Sequence, residues 1–215
     1  TFSYSYVTGA ERGLPANHWR RTVSHGSART VTYFDALLRP VLSDRYIDGV
    51  AGSNATTLAT YDPKGQATFA SYPSATALNF TATPATAGIL GSASSYDALG
   101  RPTQTRQDSE LGVLTTGTAY LSGARRQVTD PKGNATTTTY QVFDTPSHDV
   151  PIQISAPAGV NQTIARNLHG EPLSIRQYGS NGGYSGDVTR TLIYDGYHRL
   201  CRSTEPESGS TVMAY

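Results

Sequence analysis

A short peptide, "YDALGRP" at Tyr96 to Pro102, returns along the chain as "YDPKGQA" at Tyr61 to Ala67 and "TDPKGNA" at Thr129 to Ala135. Aligned on the aspartate, the series reads Phe34-Asp35, Tyr61-Asp62, Tyr96-Asp97, Thr129-Asp130, a degenerate Arg166-Asn167, and Tyr194-Asp195. Neighbouring members lie about 30 residues apart, at uneven intervals, which is the mark of a repeated supersecondary unit. The longer intervals leave room for further hairpins, with Ser122-Gly123 and Phe143-Asp144 as candidate turns.

Turn chemistry explains why these residues recur. In "DPKG", Asp62 and Asp130 suit the first position of a type I turn, where a carboxylate accepts nearby backbone N–H groups. Pro63 and Pro131 preset φ at the second position, and Gly65 and Gly133 can take the left-handed conformation that closes a bulged hairpin. Asp97 and Gly100 repeat this arrangement with Ala98-Leu99 between them, and the aromatic before each aspartate can cover the hairpin end. Leu38, His198 and Asn167 break the pattern and leave room for other turns at those three places.

The segments between the turns read as strands. "RTVTYFD" and "TTTTYQVFD" are β-branched and aromatic, while "DVTRTLIYD" alternates Val188, Arg190, Leu192 and Tyr194 with Thr189, Thr191 and Ile193. Neither face of that alternation is apolar throughout, which predicts a sheet with both faces at least partly wet. The best helical window, Ala10 to Trp19, contains Gly13 and Pro15 and reads as irregular. Residues 74–95 are small and polar and read as a longer connection with a short strand, and Gly179 to Gly186 as a hairpin connection. The expected fold is all-β: repeated antiparallel hairpins, about 12 to 18 strands, forming a curved or spiralling sheet strip. One region is expected to span 1–215, with 1–27 a worn repeat and 28–215 recognisable ones.

Composition limits the function. Seventeen Lys plus Arg against sixteen Asp plus Glu gives a net charge of +1, too little field to draw in nucleic acid or an anionic membrane. The apolar runs are far shorter than a membrane-spanning helix requires. One cysteine, Cys201, excludes an internal disulfide.

With these motifs in place, the sequence resembles the Rhs/YD-repeat family, which includes teneurins, the shell components of bacterial Tc insecticidal toxins and bacterial Rhs polymorphic toxins. "YDALGRP" resembles the family signature almost residue for residue, and "YDPKGQA", "TDPKGNA" and "YDGYHRL" are looser matches. The resemblance implies a β-strip wound into a hollow shell that holds the C-terminal toxic part of the same polypeptide. It also implies an exported bacterial protein, secreted or at the cell surface, whose partners are the remaining repeats and that toxin domain. The family's self-cleaving aspartate element is not found, so the chain is expected to be a piece of a longer one, ending at a repeat boundary.

No catalytic, cofactor-binding or metal-binding residue is assigned. His18, His25, His148, His169 and His198 show no metal-ligand spacing and read as surface or turn residues. There is no GxSxG elbow, and the recurrent carboxylates belong each to its own turn rather than facing one another across a substrate. The residues singled out are structural: Asp35, Tyr61, Asp62, Gly65, Tyr96, Asp97, Gly100, Arg101, Asp130, Gly133, Tyr194 and Asp195. The alternative is a cell-surface carbohydrate-binding or adhesive β-module, with Trp19 and exposed tyrosines stacking on a glycan.

Overall fold

The computed structural model describes residues 1–81, 88–144, 147–181 and 184–215. Part of the 74–95 connection and the middle of the Gly179 to Gly186 connection therefore lie outside the described residues. The chain is all-β, with 17 strands and one 3-10 turn at Pro157–Gly159 among the described residues. It divides into two compact units, Thr1–Thr115 and Thr116–Tyr215.

The first unit is built from β1 (Phe2–Val7), β2 (His18–His25), β3 (Ala28–Phe34), β4 (Pro40–Ile47), β5 (Ala55–Tyr61), β6 (Ala67–Ser71), β7 (Gly91–Tyr96) and β8 (Pro102–Ser109). Each strand pairs antiparallel with the next in sequence. Short hairpins make this order the natural one, because strand and partner need only a few residues to meet. β9 (Gly112–Leu121) crosses the boundary between the units.

In the second unit the end of β9 pairs with β10 (Arg125–Thr129), and the same meander continues through β11 (Ala135–Tyr140), β12 (Pro151–Ser155), β13 (Asn161–Arg166), β14 (Pro172–Asn181), β15 (Tyr184–Tyr194), β16 (Leu200–Glu205) and β17 (Gly209–Val212). The Ser122-Gly123 turn joins β9 to β10. Phe143-Asp144 lies in the longer β11–β12 connection, whose ends are closed by the Gln141 N–H to Val150 carbonyl bond at 2.8 Å.

Apolar burial is concentrated in the first unit. Leu14, Val31, Tyr33, Val41, Leu42, Leu58, Phe69 and Ile89 form one buried cluster, with Tyr46, Tyr61, Leu78, Phe80 and Ala93 packed against it. Leu14 comes from the irregular 8–17 segment, as do Arg12 and Glu11. That segment lies over the sheet because the Phe80 N–H bonds the Arg12 carbonyl at 2.8 Å, and Arg12 also donates to the Leu78 carbonyl at 2.6 and 3.2 Å. Beneath it, Asp44 pairs with Arg12 and accepts from the wholly buried Thr56 hydroxyl at 2.7 Å. In the second unit Tyr140 alone among the described residues is a buried hydrophobic. The described strand residues there are otherwise intermediate or exposed, so both faces stay partly wet, as the alternation along Val188 to Tyr194 predicts.

Candidate functional site

All six aligned positions build one turn. The N–H three residues after the Asp or Asn bonds back to its carbonyl at 3.0 to 3.1 Å, and its own N–H bonds the carbonyl of the fourth residue after it at 2.9 to 3.0 Å. This is a type I turn closed by a left-handed residue, and register shifts beside Phe34, Tyr61, Tyr96, Arg166 and Tyr194 mark the bulge. Gly65, Gly100 and Gly133 occupy the left-handed position at φ +86°, +82° and +85°.

Leu38, His198 and Asn167 do not open other turns. Leu38 and His198 sit left-handed at φ 60° and 64° with the same hydrogen bonds, and Asn167 starts its turn as the aspartates do, with Gly170 at φ 82°. The reason is that the side chain at the first position organises the loop. Oδ1 of Asp35, Asp97, Asp130, Asn167 and Asp195 accepts the N–H groups of the second and fourth residues after it at 2.8 to 3.0 Å. Asp62 Oδ1 accepts the fourth, the Gln66 N–H, at 2.8 Å. With two backbone N–H groups anchored to one side-chain oxygen, as at Asp35 and Asp195, the residue at the closing position, Leu38 or His198, is held left-handed at a tolerable strain.

The residue after the left-handed position, which the sequence reading gave weight to only at Arg101, completes the cluster. Arg39, Arg101 and Arg199 donate Nε to Oδ2 of Asp35, Asp97 and Asp195 at 2.7, 2.7 and 2.8 Å, and their Nη2 reaches the same oxygen at 2.7, 2.7 and 2.8 Å, leaving Oδ1 to the backbone N–H groups. Asn134 does the same for Asp130 with one bond at 2.9 Å, and the fifth turn reverses the polarity, with Asn167 donating to Glu171 at 2.6 Å. The recurrence of Arg at this position is the signal that could have identified the pair from sequence.

Successive turns are tied to one another. The Tyr61 hydroxyl donates to the Pro40 carbonyl at 3.0 Å, Tyr96 to Ala67 at 2.9 Å and Tyr215 to Leu200 at 2.9 Å, each reaching the fifth residue after the preceding aspartate. Arg39 lies 4.8 Å above the Tyr61 ring and Arg199 4.7 Å above the Tyr215 ring. Lys64 and Gln66 reach on to the Ala98 and Gly100 carbonyls at 2.7 and 2.8 Å. Arg39 and Arg199 therefore each serve their own aspartate and the next tyrosine along the chain. Tyr194 stands at the equivalent place before Asp195, where burial, and then the Glu171 carboxylate, push its phenol up.

These contacts hold the carboxylates ionised. For Asp97 and Asp195 the backbone N–H of the following arginine is the largest influence, and for Asp130 and Glu171 the side-chain bond from Asn134 or Asn167; all four lie below the ordinary carboxylate range. Burial of Asp35 opposes ionisation, but the bonds from Arg39 and Leu37 outweigh it and the net shift is again downward. The native state thus binds fewer protons than the unfolded chain, so this stability is complete above about pH 4, where unfolded carboxylates ionise, and is lost as pH falls through the depressed values. Thermal melts are expected to be flat from pH 7 to 5 and to fall below about pH 4. Asp97→Asn with Asp195→Asn keeps the acceptor that Asn167 shows to be sufficient, and should flatten the acid slope; an unchanged slope would remove these carboxylates from the account.

The left-handed position gives a second check. Gly133→Ala places its Cβ in open space, so the expected loss of about 1 kcal/mol is backbone strain alone. Leu38→Gly should shift stability the other way, by up to about 1 kcal/mol, because Leu38 is exposed and little burial is lost. Chemical denaturation of the two variants measures both, and equal signs would contradict the shared turn.

Among the described residues, no group of three or more His, Cys, Asp or Glu side chains stands ready to hold a metal ion. Among the same residues, no helix is long and apolar enough to cross a membrane.

No protein-family model and no curated protein matches the chain. Among solved structures, the chain is similar to a crystal structure of TcdB2-TccC3 without its hypervariable C-terminal region and to one of TcdB2-TccC3, each at TM-score 0.43 and 13% identity over 93% of this chain. A TcdB2-TccC3-TEV structure matches at TM-score 0.34 and 13% identity over 94%. The chain spans only 14%, 13% and 16% of those three chains.

Proposed function

We propose that the chain is a non-enzymatic length of wall in a Rhs/YD-repeat β-shell, a single repeat region over 1–215 that helps enclose and deliver a C-terminal toxin domain of the same exported polypeptide. The observation that carries this reading is the shared turn whose tyrosine reaches the preceding turn, from Tyr61 to Pro40 and from Tyr96 to Ala67. Such a device spaces hairpins at a constant interval and lets a sheet extend unit by unit, which suits a wall and serves no reaction. Asp35, Asp62, Asp97, Asp130 and Asp195 are then structural, committed to their own turns.

The test is made on the full-length parent polypeptide. Limited proteolysis should spare the C-terminal region until the repeats are unfolded or opened, with electron microscopy showing a hollow particle around it. A C-terminal region digested as fast as the same region expressed alone would defeat the proposal.

One observation favours a second reading. Phe2, Tyr4 and Tyr6 follow one another at alternate positions of β1 and are exposed, and Tyr6 meets the exposed Trp19 ring edge-on at 5.3 Å. Such a row of rings is a platform for a sugar chain, and a cell-surface adhesive module would use it. Glycan-array binding lost in Trp19→Ala would support that reading against the shell.

A further inference from the structure

We propose that His169, Glu171 and His198 form a site for a transition-metal dication, with zinc as the reference ion, that staples two neighbouring turns of the second unit. The three residues come from the Asn167 and Asp195 turns, and their meeting is invisible in sequence because no ligand spacing links positions in different repeats. His198 Nδ1 lies 3.2 Å from Glu171 Oε1, and the His169 and His198 ring centroids are 4.2 Å apart. In a tetrahedral zinc site, bonds of about 2.0 to 2.2 Å place neighbouring ligand atoms about 3.3 Å apart. The His198–Glu171 pair already has that separation, so a metal can replace the proton between them with little movement of either turn.

The third ligand requires rotation of the His169 ring, since as the side chains stand the three do not converge. That ring is exposed, and its backbone is fixed by the Asn167 Oδ1 bond, so the rotation leaves the turn intact. Water completes the shell at this open surface. The cations of the two turns are already engaged: Arg199 by Asp195, and Arg166 by the Gly170 and Pro151 carbonyls. Glu171 is the one carboxylate of the six turns that follows the left-handed residue, in the place held by Arg39, Arg101 and Arg199, so only here does the neighbouring turn meet an anion. His198 stands left-handed where Gly65, Gly100, Gly133 and Gly170 stand in other turns, and its ring lies against Glu171 and His169 of the preceding turn. Imidazole and carboxylate together suit zinc, nickel or copper, and give magnesium no advantage over water.

The test is calorimetric titration of the tag-free 215-residue chain with zinc chloride, beside nickel and magnesium chlorides, with thermal melts alongside. Saturable uptake of one zinc per chain, a raised melting temperature and no response to magnesium are expected. His198→Gly removes a ligand while supplying the residue that the left-handed position favours, so it should melt no lower than the parent without metal yet bind zinc at least about tenfold more weakly. His169→Ala should weaken uptake to a similar degree. Absence of saturable uptake, or uptake unchanged in both variants, would overturn the site.

Discussion

Replacing Asp44 with alanine is expected to destabilise the Thr1–Thr115 unit by about 3 to 5 kcal/mol, the usual cost of breaking a buried ion pair from one side. Asp44 is 5% exposed and serves two donors, the Arg12 guanidinium and the Thr56 hydroxyl. Thr56 has no exposure at all, so its hydroxyl proton would be left without an acceptor in a place water does not reach. Arg12 would keep its bonds to the Leu78 carbonyl but lose its counter-charge. Because Arg12 and Leu14 belong to the same irregular segment, loosening one also loosens the cover over Leu42 and Leu58. Asp44→Asn, which keeps an acceptor for Thr56 and loses the charge, should fall between alanine and the parent in urea denaturation. A loss below about 1 kcal/mol for Asp44→Ala would mean that the pair is replaceable by solvent.

This cluster also shows where sequence reading stops. The turns are legible because their chemistry is local: the aspartate, the N–H groups it accepts and the left-handed residue all fall within five positions, and each repetition strengthens the inference. Asn167, Leu38 and His198 depart from the motif in spelling and not in geometry, because the side chain at the first position and the closing hydrogen bond fix the loop whichever residue stands left-handed. The links between turns are half legible. Tyrosine before aspartate is visible, but its acceptor is a backbone carbonyl in the preceding unit, and backbone atoms leave no sequence trace. Arg12, Asp44, Thr56 and Leu78 have no shared spacing at all; they meet because the 8–17 segment folds back over β4 and β5, and no periodicity encodes a crossing of that kind.

The second large effect is expected from Leu58→Ala, which should cost about 2 to 5 kcal/mol because its side chain is almost wholly enclosed and the hole left behind has only other core side chains to relax into it. The same truncation in the second unit, Ile164→Ala on β13, removes a partly covered side chain from a sheet with no comparable cluster, and its cost should be smaller, nearer the area term alone. The contrast follows from where the apolar residues are. In the first unit the 8–17 segment and Leu78, Phe80 and Ile89 close one face of the sheet, so hydrophobic burial carries much of its stability. In the second unit both faces are partly wet and Tyr140 alone among the described residues is a buried hydrophobic, so the ladder hydrogen bonds and the Asp195–Arg199 and Asn167–Glu171 turn clusters carry a larger share of the cohesion. Exposed ladders open locally at low cost, so amides of β12 to β17 should exchange faster than those of β3 to β6 under native conditions, and the second unit should respond more to acid than to core truncation. Hydrogen exchange with mass-spectrometric readout measures both units in one experiment. Equal protection throughout, or equal losses from Leu58→Ala and Ile164→Ala, would show that the wet sheet is held as firmly as the covered one and that its stability has another source.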